Sequence, residues 1–598
     1  MNRPVRIDGY APISDYAAIG DGRTVALVAR DGAIDWLCLP DLDSASTFGA
    51  LLDADRGGRF LLQPDAPFES ARRYVRGTNV LETTLTTATG SVRVTDAMTL
   101  PTSGLAPHRE LVRRIEGVSG EVPVRWSVQP RFSYGAVAPR MDVRAGVPVA
   151  ASGRDAVGVL SFGAGDAVRH DGGIDGRFVA RAGSTACLVL TASHQEPLVL
   201  PPRAEVEARL EETVRHWREW SDGREYDGPW TDAVLRSALA LKLLVFAPSG
   251  AIAAAATTSL PEEIGGERNW DYRYSWPRDS AFMLRALLAL GCGREARAFF
   301  SWLLHASQLT HPEVRVLYRL NGAVDAAEES LPLVGYRGSS PVRVGNGAAT
   351  QTQLDVYGEL LDAAAEFARF EGGLDRDHAR RLAGVVDHVC NVWRQPDAGI
   401  WEVRSDPAHF TQSKMMCAVA LDRAVALADD GALRGDTARW RRERARIGAF
   451  VETNCYSEAG RSYVRSSDED VLDASLLLAV LGRYDEPRSP RLLGTVDAVR
   501  RDLATGPLVR RYVGTDGLAG EEGAFLACSF WLVEAYARQR RLDAAEELMD
   551  ELVGLANDVG LYAEEIDPAS GEFLGNFPQG LSHLALVNAA AAIAEARA

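Results

Sequence analysis

The N-terminal third of the chain alternates short apolar runs with turn residues, and this alternation predicts β-strands. The runs are roughly four to eight residues long, rich in Val, Thr and Leu, and separated by Gly, Asp and Pro. Several such strands in succession favour an antiparallel β-sandwich, which we predict for residues 1–202. The segments with this pattern include TVALVARDGAIDWLCL, GRFLLQP, NVLETTLTTATGSVRVTDAMTL, PVRWSVQP and TACLVLTAS.

The pattern changes near residue 203, where a charged segment predicts a helical linker over residues 203–228. Beyond it, apolar residues recur at three- and four-residue spacing, which predicts about eleven or twelve amphipathic helices. So many helices favour an all-α domain over residues 229–598, with the helices paired and closed into an (α/α)6 toroid. A right-handed solenoid is the alternative, although no repeat of fixed period supports it. The helical segments are WTDAVLRSALALKLLVF, PRDSAFMLRALLAL, REARAFFSWLLHA, TQLDVYGELLDAAAEFARF, DHARRLAGVVDHVCNVW, TQSKMMCAVALDRAVALA, TARWRRERARIGAFVETN, LDASLLLAVLG, GAFLACSFWLVEAYARQ, LDAAEELMDELVGLA and LSHLALVNAAAAIAEA.

Several intervals between the predicted helices are long and rich in aromatic or charged residues. Long ordered loops within a compact helical domain are usually functional. In a toroid, such loops collect at one end and line a central pocket, so we expect the functional site there. The intervals are residues 249–276, 309–349, 395–409, 504–520 and 559–578.

Composition excludes some partners. The formal net charge of −17 disfavours nucleic acid and anionic membrane surfaces, since both require a basic patch. The seven cysteines are scattered without paired spacing, which is typical of reduced thiols, and the N-terminal segment has no apolar run of a secretory signal. We therefore expect a cytoplasmic protein that acts on a small molecule, and homo-oligomerisation stays open.

No motif for metal, nucleotide or serine-nucleophile chemistry is present: the sequence contains no HExxH, no P-loop and no GxSxG. Nothing in it requires a cofactor or a metal. The chemistry-bearing residues that remain are carboxylates, arginines and aromatic rings, concentrated in NWDYRYSWPRDSAFML at residues 269–284. Aromatic faces stack on sugar rings, while Arg and Asp bind neighbouring hydroxyls, so this composition favours a carbohydrate site.

Cleavage of a glycosidic bond needs two carboxyl groups, and GIWEVR supplies the first candidate. A carboxyl at Glu402, pressed against the indole of Trp401, would be poorly solvated and would retain a proton, as a general acid must. The alternative is an exposed ion pair of Glu402 with Arg404.

A second candidate is the acidic loop GLYAEEIDPASGEFLGNFPQGLSH, in which Glu564 could activate a water molecule. The alternative is a solvated acidic loop without catalytic function. A third acidic segment, QLDVYGE, contains Asp355 and Glu359, but its helical periodicity favours a pocket wall over a proton donor.

Taken together, these motifs resemble glycoside hydrolase family 15, the glucoamylase and bacterial-type trehalase family. The resemblance covers nearly the whole chain, because the opening segment PISDYAAIGDGRTVALVARDGAIDWLCLPDLDSASTFGALLD also resembles the N-terminal β-domain of bacterial and archaeal members. Five short motifs in the family's order make it specific. They are YRYSWPRDS, GIWEVR, VRRYVG, EEGAFLACSFWLVEA and LYAEEIDPASGEFLGNFPQGLSH.

The resemblance implies roles for individual residues. Glu402 falls where the family has its general acid, and Glu564 falls where it has its general base. The implied reaction is single-displacement hydrolysis with inversion, which releases β-glucose and requires carboxyls about 6.5–9.5 Å apart. The implied sugar-binding residues are Tyr272, Trp276, Arg278, Asp279, Trp401 and Arg511.

One departure from the family bears on the substrate. Val403 follows the predicted acid, where fungal glucoamylases have a second glutamate, so the leaving-group subsite should be built differently. A short, soluble substrate fits this departure, and trehalose is the expected one. Maltose, isomaltose and malto-oligosaccharides are the alternatives within the same reaction class.

Functions of other classes make different demands on the same toroid. A sugar epimerase would need an acid–base pair of histidines, for which His409 and His583 are the candidates. A polysaccharide lyase would need cations for a uronate carboxylate, such as Arg278, Arg343 and Arg511. A sugar-binding protein without hydrolytic activity would be expected to lack one or both carboxylates, and both are present.

Overall fold

The N-terminal third forms an antiparallel sheet network, as the alternating pattern predicts. The computed structural model describes residues 3–100, 109–514, 516–518, 520 and 522–598. Within these residues, fifteen strands pair only in antiparallel fashion. They are Tyr16–Gly20 (β1), Val25–Ala29 (β2), Ala33–Cys38 (β3), Ser46–Phe48 (β4), Phe60–Pro64 (β5), Glu69–Tyr74 (β6), Leu81–Thr87 (β7), Gly90–Met98 (β8), Arg109–Val128 (β9), Arg140–Arg144 (β10), Val147–Ser152 (β11), Asp155–Phe162 (β12), Val168–His170 (β13), Gly173–Arg181 (β14) and Thr185–Ser193 (β15).

The long strand β9 joins the two halves of this network. Its first half pairs with β8 and β15, and its second half pairs with β5 and β14. In the second half, Val122, Val124, Trp126 and Val128 are buried while most residues between them are exposed, which is the alternation of a sheet with one face on the core. An added Cβ at Gly176, the β14 partner of Trp126, would lie 2.3 Å from its ring, so only glycine fits there.

Thirteen α-helices follow the sheet network in the described part of the chain. Helix α1 coincides with the predicted linker helix, and the predicted helical texture beyond residue 228 is confirmed. None of the helices in the described ranges is both long enough and apolar enough to cross a lipid bilayer. The helices are Arg203–Asp222 (α1), Thr231–Leu244 (α2), Ser280–Ala289 (α3), Gly293–Ala306 (α4), Asp355–Glu371 (α5), Arg376–Val392 (α6), Thr411–Asp429 (α7), Thr437–Asn454 (α8), Leu478–Leu481 (α9), Pro490–Asp502 (α10), Leu526–Arg538 (α11), Leu542–Val553 (α12) and Gly580–Arg597 (α13).

Helix–helix contacts divide these helices into two sets. Helices α3, α5, α7, α9, α11 and α13 contact one another in that order, and α13 contacts α3 again. They are buried on nearly all sides; in α13, for example, every residue from Gly580 to Ala590 is buried. Some helices outside this set bury a single stripe, as α6 does with Leu382, Val385 and Val389.

Two features of the helical half differ from the sequence-based expectation. Helix α10 was not among the predicted segments, because its sequence PRLLGTVDAVRRD contains Gly494 and β-branched residues that lower helix propensity. The intervals between helices also contain short strands, although the sequence showed hardly any strand signal there. These strands are Thr258–Pro261 (β16), Asn269–Asp271 (β17), Glu329–Leu331 (β18), Val342–Val344 (β19), Tyr456–Ser457 (β20), Ser462–Tyr463 (β21), Ala504–Thr505 (β22), Leu508–Val509 (β23), Ala524–Phe525 (β24), Glu565–Ile566 (β25) and Phe573–Leu574 (β26).

A buried ion pair at the junction of the two parts fixes strand β17. Asp271 and Arg273 are each 1% exposed, and their side chains approach to 2.6 Å. Arg273 also donates to the carbonyl of Ser44 at 2.6 Å and to the hydroxyl of Tyr134 at 2.8 Å, both in the N-terminal part. The sheet network therefore holds the segment that leads directly into the predicted site.

Candidate active site

A pocket lies at the N-terminal ends of α3, α11 and α13. It contains about 710 Å³ of space between atoms, counted together with the solvent at its open mouth. Six of the eight predicted site residues line it. These six are Tyr272, Arg278, Asp279, Trp401, Glu402 and Arg511.

The carboxyl of Glu402 is held at one oxygen by two donors. Its Oε1 accepts from Nε1 of Trp276 at 2.7 Å and from Nη1 of Arg278 at 3.1 Å. Arg278 is itself anchored by donating to the carbonyl of Ile400 at 2.6 Å. Because Oε1 already accepts two hydrogen bonds, a proton carried by Glu402 must reside on Oε2. The geometry thus leaves one defined oxygen for proton transfer.

Two local expectations about Glu402 are corrected. Its indole partner is Trp276, since Nε1 of Trp401 instead donates to both carboxylate oxygens of Asp473 at 2.9 and 3.0 Å. The alternative ion pair with Arg404 does not form in the structure, because Arg404 pairs with Glu328 at 3.0 Å. Trp401 and Arg404 bind Asp473 and Glu328, which are distant in the sequence, instead of their sequence neighbour Glu402.

Tyr272, Arg278 and Asp279 form one wall of the pocket. Nε of Arg278 donates to Oδ1 of Asp279 at 3.2 Å, and burial nevertheless raises the pKa of Asp279 above its ordinary value. The ring of Tyr272 packs edge-on against Trp276, with 5.3 Å between ring centroids. Trp276 is 1% exposed and does not line the pocket, so it acts through Glu402 and Tyr272.

The second predicted catalytic carboxyl, Glu564, is buried beside the pocket and is not part of its lining. Its Oε2 accepts from the backbone N–H of Asn576 at 3.1 Å. Burial, and then the charge of Glu262, raise the pKa of Glu564 to about 8. Gly575 makes room for it, because an added Cβ there would lie 2.5 Å from Oε2 of Glu564.

Arg511 lies at the centre of an ion-pair network, of which Arg511 itself and Glu262 line the pocket. It donates to Glu262 at 2.7 Å and to Glu522 at 2.7 Å, and it lies 3.5 Å from Glu565. Oxygen atoms of these three carboxylates lie within 4.8 Å of one another, a spacing that could suit a metal ion. The guanidinium of Arg511 contacts all three carboxylates and supplies the compensating positive charge, which favours an ion-pair network over a metal site.

The two histidines that an epimerase would require do not line the pocket. His583 is fully buried, its Nδ1 lies 3.0 Å from Oγ of Ser237, and burial lowers its pKa to about 3. His409 packs edge-on against Phe450. Neither is placed for acid–base chemistry on a sugar in this pocket.

Sequence reasoning missed several pocket residues, most notably Glu262. It lies in SLPEEIGGERNWDY, inside the long interval 249–276 that was expected to be functional, but its acidic neighbours offered no reason to single it out. The remaining lining residues depend on tertiary folding for their proximity. The lining residues that were not predicted are Glu262, Arg268, Trp270, Phe282, Ile400, Val403, Arg404, Tyr512, Asp516, Leu518, Phe525, Trp531 and Leu581.

Comparisons with known proteins agree on one family. The model of glycosyl hydrolases family 15 matches residues 228–591, and that of the trehalase-like N-terminal domain matches residues 6–213. A trehalase of Mycolicibacterium smegmatis is 39% identical, over 98% of this chain and 92% of that protein. A trehalase of Mycobacterium tuberculosis is 38% identical, over 97% and 89%, and one of Thermoplasma volcanium is 34% identical, over 99% and 95%.

The fold is also that of a solved structure. A bacterial glucoamylase, crystallised in complex with acarbose, aligns with a TM-score of 0.73 and 13% identity, covering 100% of this chain and 97% of that one. This likeness confirms the architecture of an antiparallel sheet domain followed by a helical domain. The resemblance inferred from the five sequence motifs is confirmed as well: the chain belongs to glycosyl hydrolases family 15 and is a glycoside hydrolase.

Proposed function

We propose that this enzyme hydrolyses trehalose with inversion at one anomeric carbon. The observation that carries the proposal is the fixed carboxyl of Glu402, whose Oε2 is left for a proton in a pocket lined by Tyr272, Arg278 and Asp279. The substrate is supported by identities of 34–39% with three trehalases over nearly the full chain.

In the proposed reaction, Glu402 is the general acid. It transfers the proton from Oε2 to the glycosidic oxygen as the bond to the anomeric carbon breaks. The leaving glucose then departs with its own anomeric configuration unchanged, which is α. Arg278 and Asp279 hold the other glucose by its outer hydroxyls, because a guanidinium and a carboxylate side by side offer donors and acceptors to neighbouring hydroxyls.

Glu564 is the proposed general base. It accepts a proton from the water that attacks the anomeric carbon from the opposite face, so the attacked glucose leaves as the β-anomer. The raised pKa of Glu564, about 8, supports this role, because a base is most effective when its pKa lies near the working pH. The pKa of Tyr272, which lines the pocket, is raised by burial and then by the charge of Glu564, which supports a position of Glu564 close to the pocket.

The finer architecture is also a proposal. We propose an (α/α)6 toroid over residues 229–598, supported by the contacts that run from α3 through five further buried helices and back to α3. A β-sandwich over residues 1–202 is supported by the two halves of β9, which pair with different strands. The family matches end at residue 213 and begin at residue 228, which supports a linker at 203–228.

A cytoplasmic location is proposed on separate grounds. All seven cysteines are free and buried, as is usual in compartments that keep thiols reduced. Measuring activity in fractionated cells of the source organism would test this, and activity confined to the secreted fraction would contradict it.

The catalytic proposal is tested by glucose release from trehalose, maltose, isomaltose, maltoheptaose and soluble starch. We expect trehalose to have the highest kcat/KM. Glu402→Gln and Glu564→Gln should each lower kcat by orders of magnitude, while Glu458→Gln, at a side chain 85% exposed, should not. Faster release from maltoheptaose would replace trehalase by glucoamylase activity. Near-native turnover in either active-site variant would remove that residue from its role.

A further inference from the structure

Glu262 is a further carboxyl of the pocket, and one of its two oxygens has no hydrogen-bond partner among the described residues. It lines the pocket although it is only 1% exposed. Its Oε2 accepts from Nη2 of Arg511 at 2.7 Å. Its Oε1 is buried and has no hydrogen-bond partner among the residues that the structure describes. A buried carboxylate oxygen without a donor is costly, so such an atom in a ligand pocket indicates a donor on the ligand.

The backbone at Glu262 is fixed by a hairpin. Glu262 follows β16 directly, its N–H donates to the carbonyl of Arg268 at 3.0 Å, and β16 pairs with β17 of the site. Rigid support of this kind is what a substrate-positioning side chain needs. Burial raises the pKa of Glu262 to about 7, against the effect of Arg511, as expected for a carboxyl that water reaches poorly.

We propose that Glu262 binds substrate: Oε1 accepts a hydrogen bond from a hydroxyl of the glucose that is cleaved, while Oε2 keeps Arg511 in place. A carboxylate and a guanidinium side by side suit two neighbouring hydroxyls, one donating and one accepting. Glu262 is thus a specificity-determining residue for a sugar with hydroxyls at these positions. The proposal rests on the proposed function of the same site.

The competing role for Glu262 is that of the general base, because it lines the pocket whereas Glu564 does not. Chemical rescue separates the two roles. Azide should restore turnover to Glu564→Ala by attacking the anomeric carbon in place of the activated water, and it should not restore Glu262→Ala. Rescue of Glu262→Ala alone would overturn the substrate-binding role.

The decisive experiment combines variants with altered substrates. Steady-state kinetics are measured for the wild type, Glu262→Gln and the adjacent control Glu263→Gln, which does not line the pocket. Substrates are trehalose and analogues deoxygenated at the same position in both rings, so that either binding orientation is equivalent. On trehalose, Glu262→Gln should lower kcat/KM about 10–100-fold, as expected for a lost hydrogen bond to a charged group, and Glu263→Gln less than about twofold.

The difference in kcat/KM between the wild type and Glu262→Gln should then become much smaller for one of the deoxygenated analogues. The wild type should lose about 10–100-fold on the analogue that lacks the hydroxyl bound by Glu262, whereas Glu262→Gln should lose much less on the same compound. Equal losses for both enzymes on every analogue would overturn the proposal. Glu262→Asp, which keeps the charge that pairs with Arg511, repeats the comparison if Glu262→Gln unfolds.

Failure of the proposed function is recognised separately. A wild type that cleaves maltose and not trehalose would refute trehalase activity. The same comparison with deoxygenated maltose analogues would still test Glu262, because the cleaved glucose occupies the same pocket.

Discussion

The burial of Glu564 predicts that this proposed catalytic carboxyl destabilises the fold as pH rises. Burial raises its pKa from 4.5 to about 8. Between these values the unfolded chain has released the proton and the folded chain has kept it, so stability of the wild type falls as pH increases. The full difference is reached above pH 8. Replacing Glu564 by Gln removes this titration and should stabilise the protein progressively over that window.

The magnitude follows from the same shift. Each pKa unit corresponds to about 1.4 kcal/mol, so a shift of about 3.5 units (8 − 4.5) gives at most about 5 kcal/mol. With an unfolding entropy of about 2 cal/mol/K per residue, this chain of 598 residues changes stability by about 1.3 kcal/mol per degree. The expected increase in Tm for Glu564→Gln at pH 8 is therefore about 4 °C, and close to zero near pH 4.5.

Differential scanning calorimetry at pH 5, 6, 7 and 8, at one scan rate, measures this difference. The matched control is Glu458→Gln, whose side chain is 85% exposed and should give a Tm difference that does not vary with pH. A Tm difference for Glu564→Gln that is constant across pH would refute the reasoning. So would a variant less stable than the wild type at pH 8. A confirmed increase would identify a stability cost retained for catalysis.

Three further predictions concern the site. Trp276→Phe removes the donor to Glu402 and should lower kcat about 10-fold or more, with little change in KM. The control is Trp302→Phe, because Nε1 of Trp302 has no partner within the described residues. A normal kcat in Trp276→Phe would contradict the role of the hydrogen bond. Gly575→Ala, at a φ of +71° and with its Cβ 2.5 Å from Glu564, should lower both Tm and kcat, and wild-type values for both would show that the site relaxes. One limb of kcat/KM against pH should lie near pH 8, because the ionisation state of Glu564 changes there; a profile that is flat between pH 7 and 9 would exclude Glu564 as the base.

Local patterns predicted the N-terminal strands and most helices, because each depends on residues close together in the chain, whereas the resemblance to the family implied the roles of the six pocket residues. The pairing of Glu402 with Trp276 could not be predicted, since these residues are separated by the whole of α3, α4, α5 and α6. Glu262 was missed for a similar reason: its unpaired oxygen is visible only once Arg511 and the pocket are in place. Side-chain partners across the sequence are set by tertiary packing, which a pattern of residue types does not contain.

The measurement that tests the central claim most directly is proton NMR of the first products from trehalose, recorded before mutarotation mixes the anomers. Inversion at one anomeric carbon predicts equal initial amounts of β-glucose, from the attacked ring, and α-glucose, from the leaving ring. Initial product that is entirely α-glucose would contradict the roles of Glu402 and Glu564.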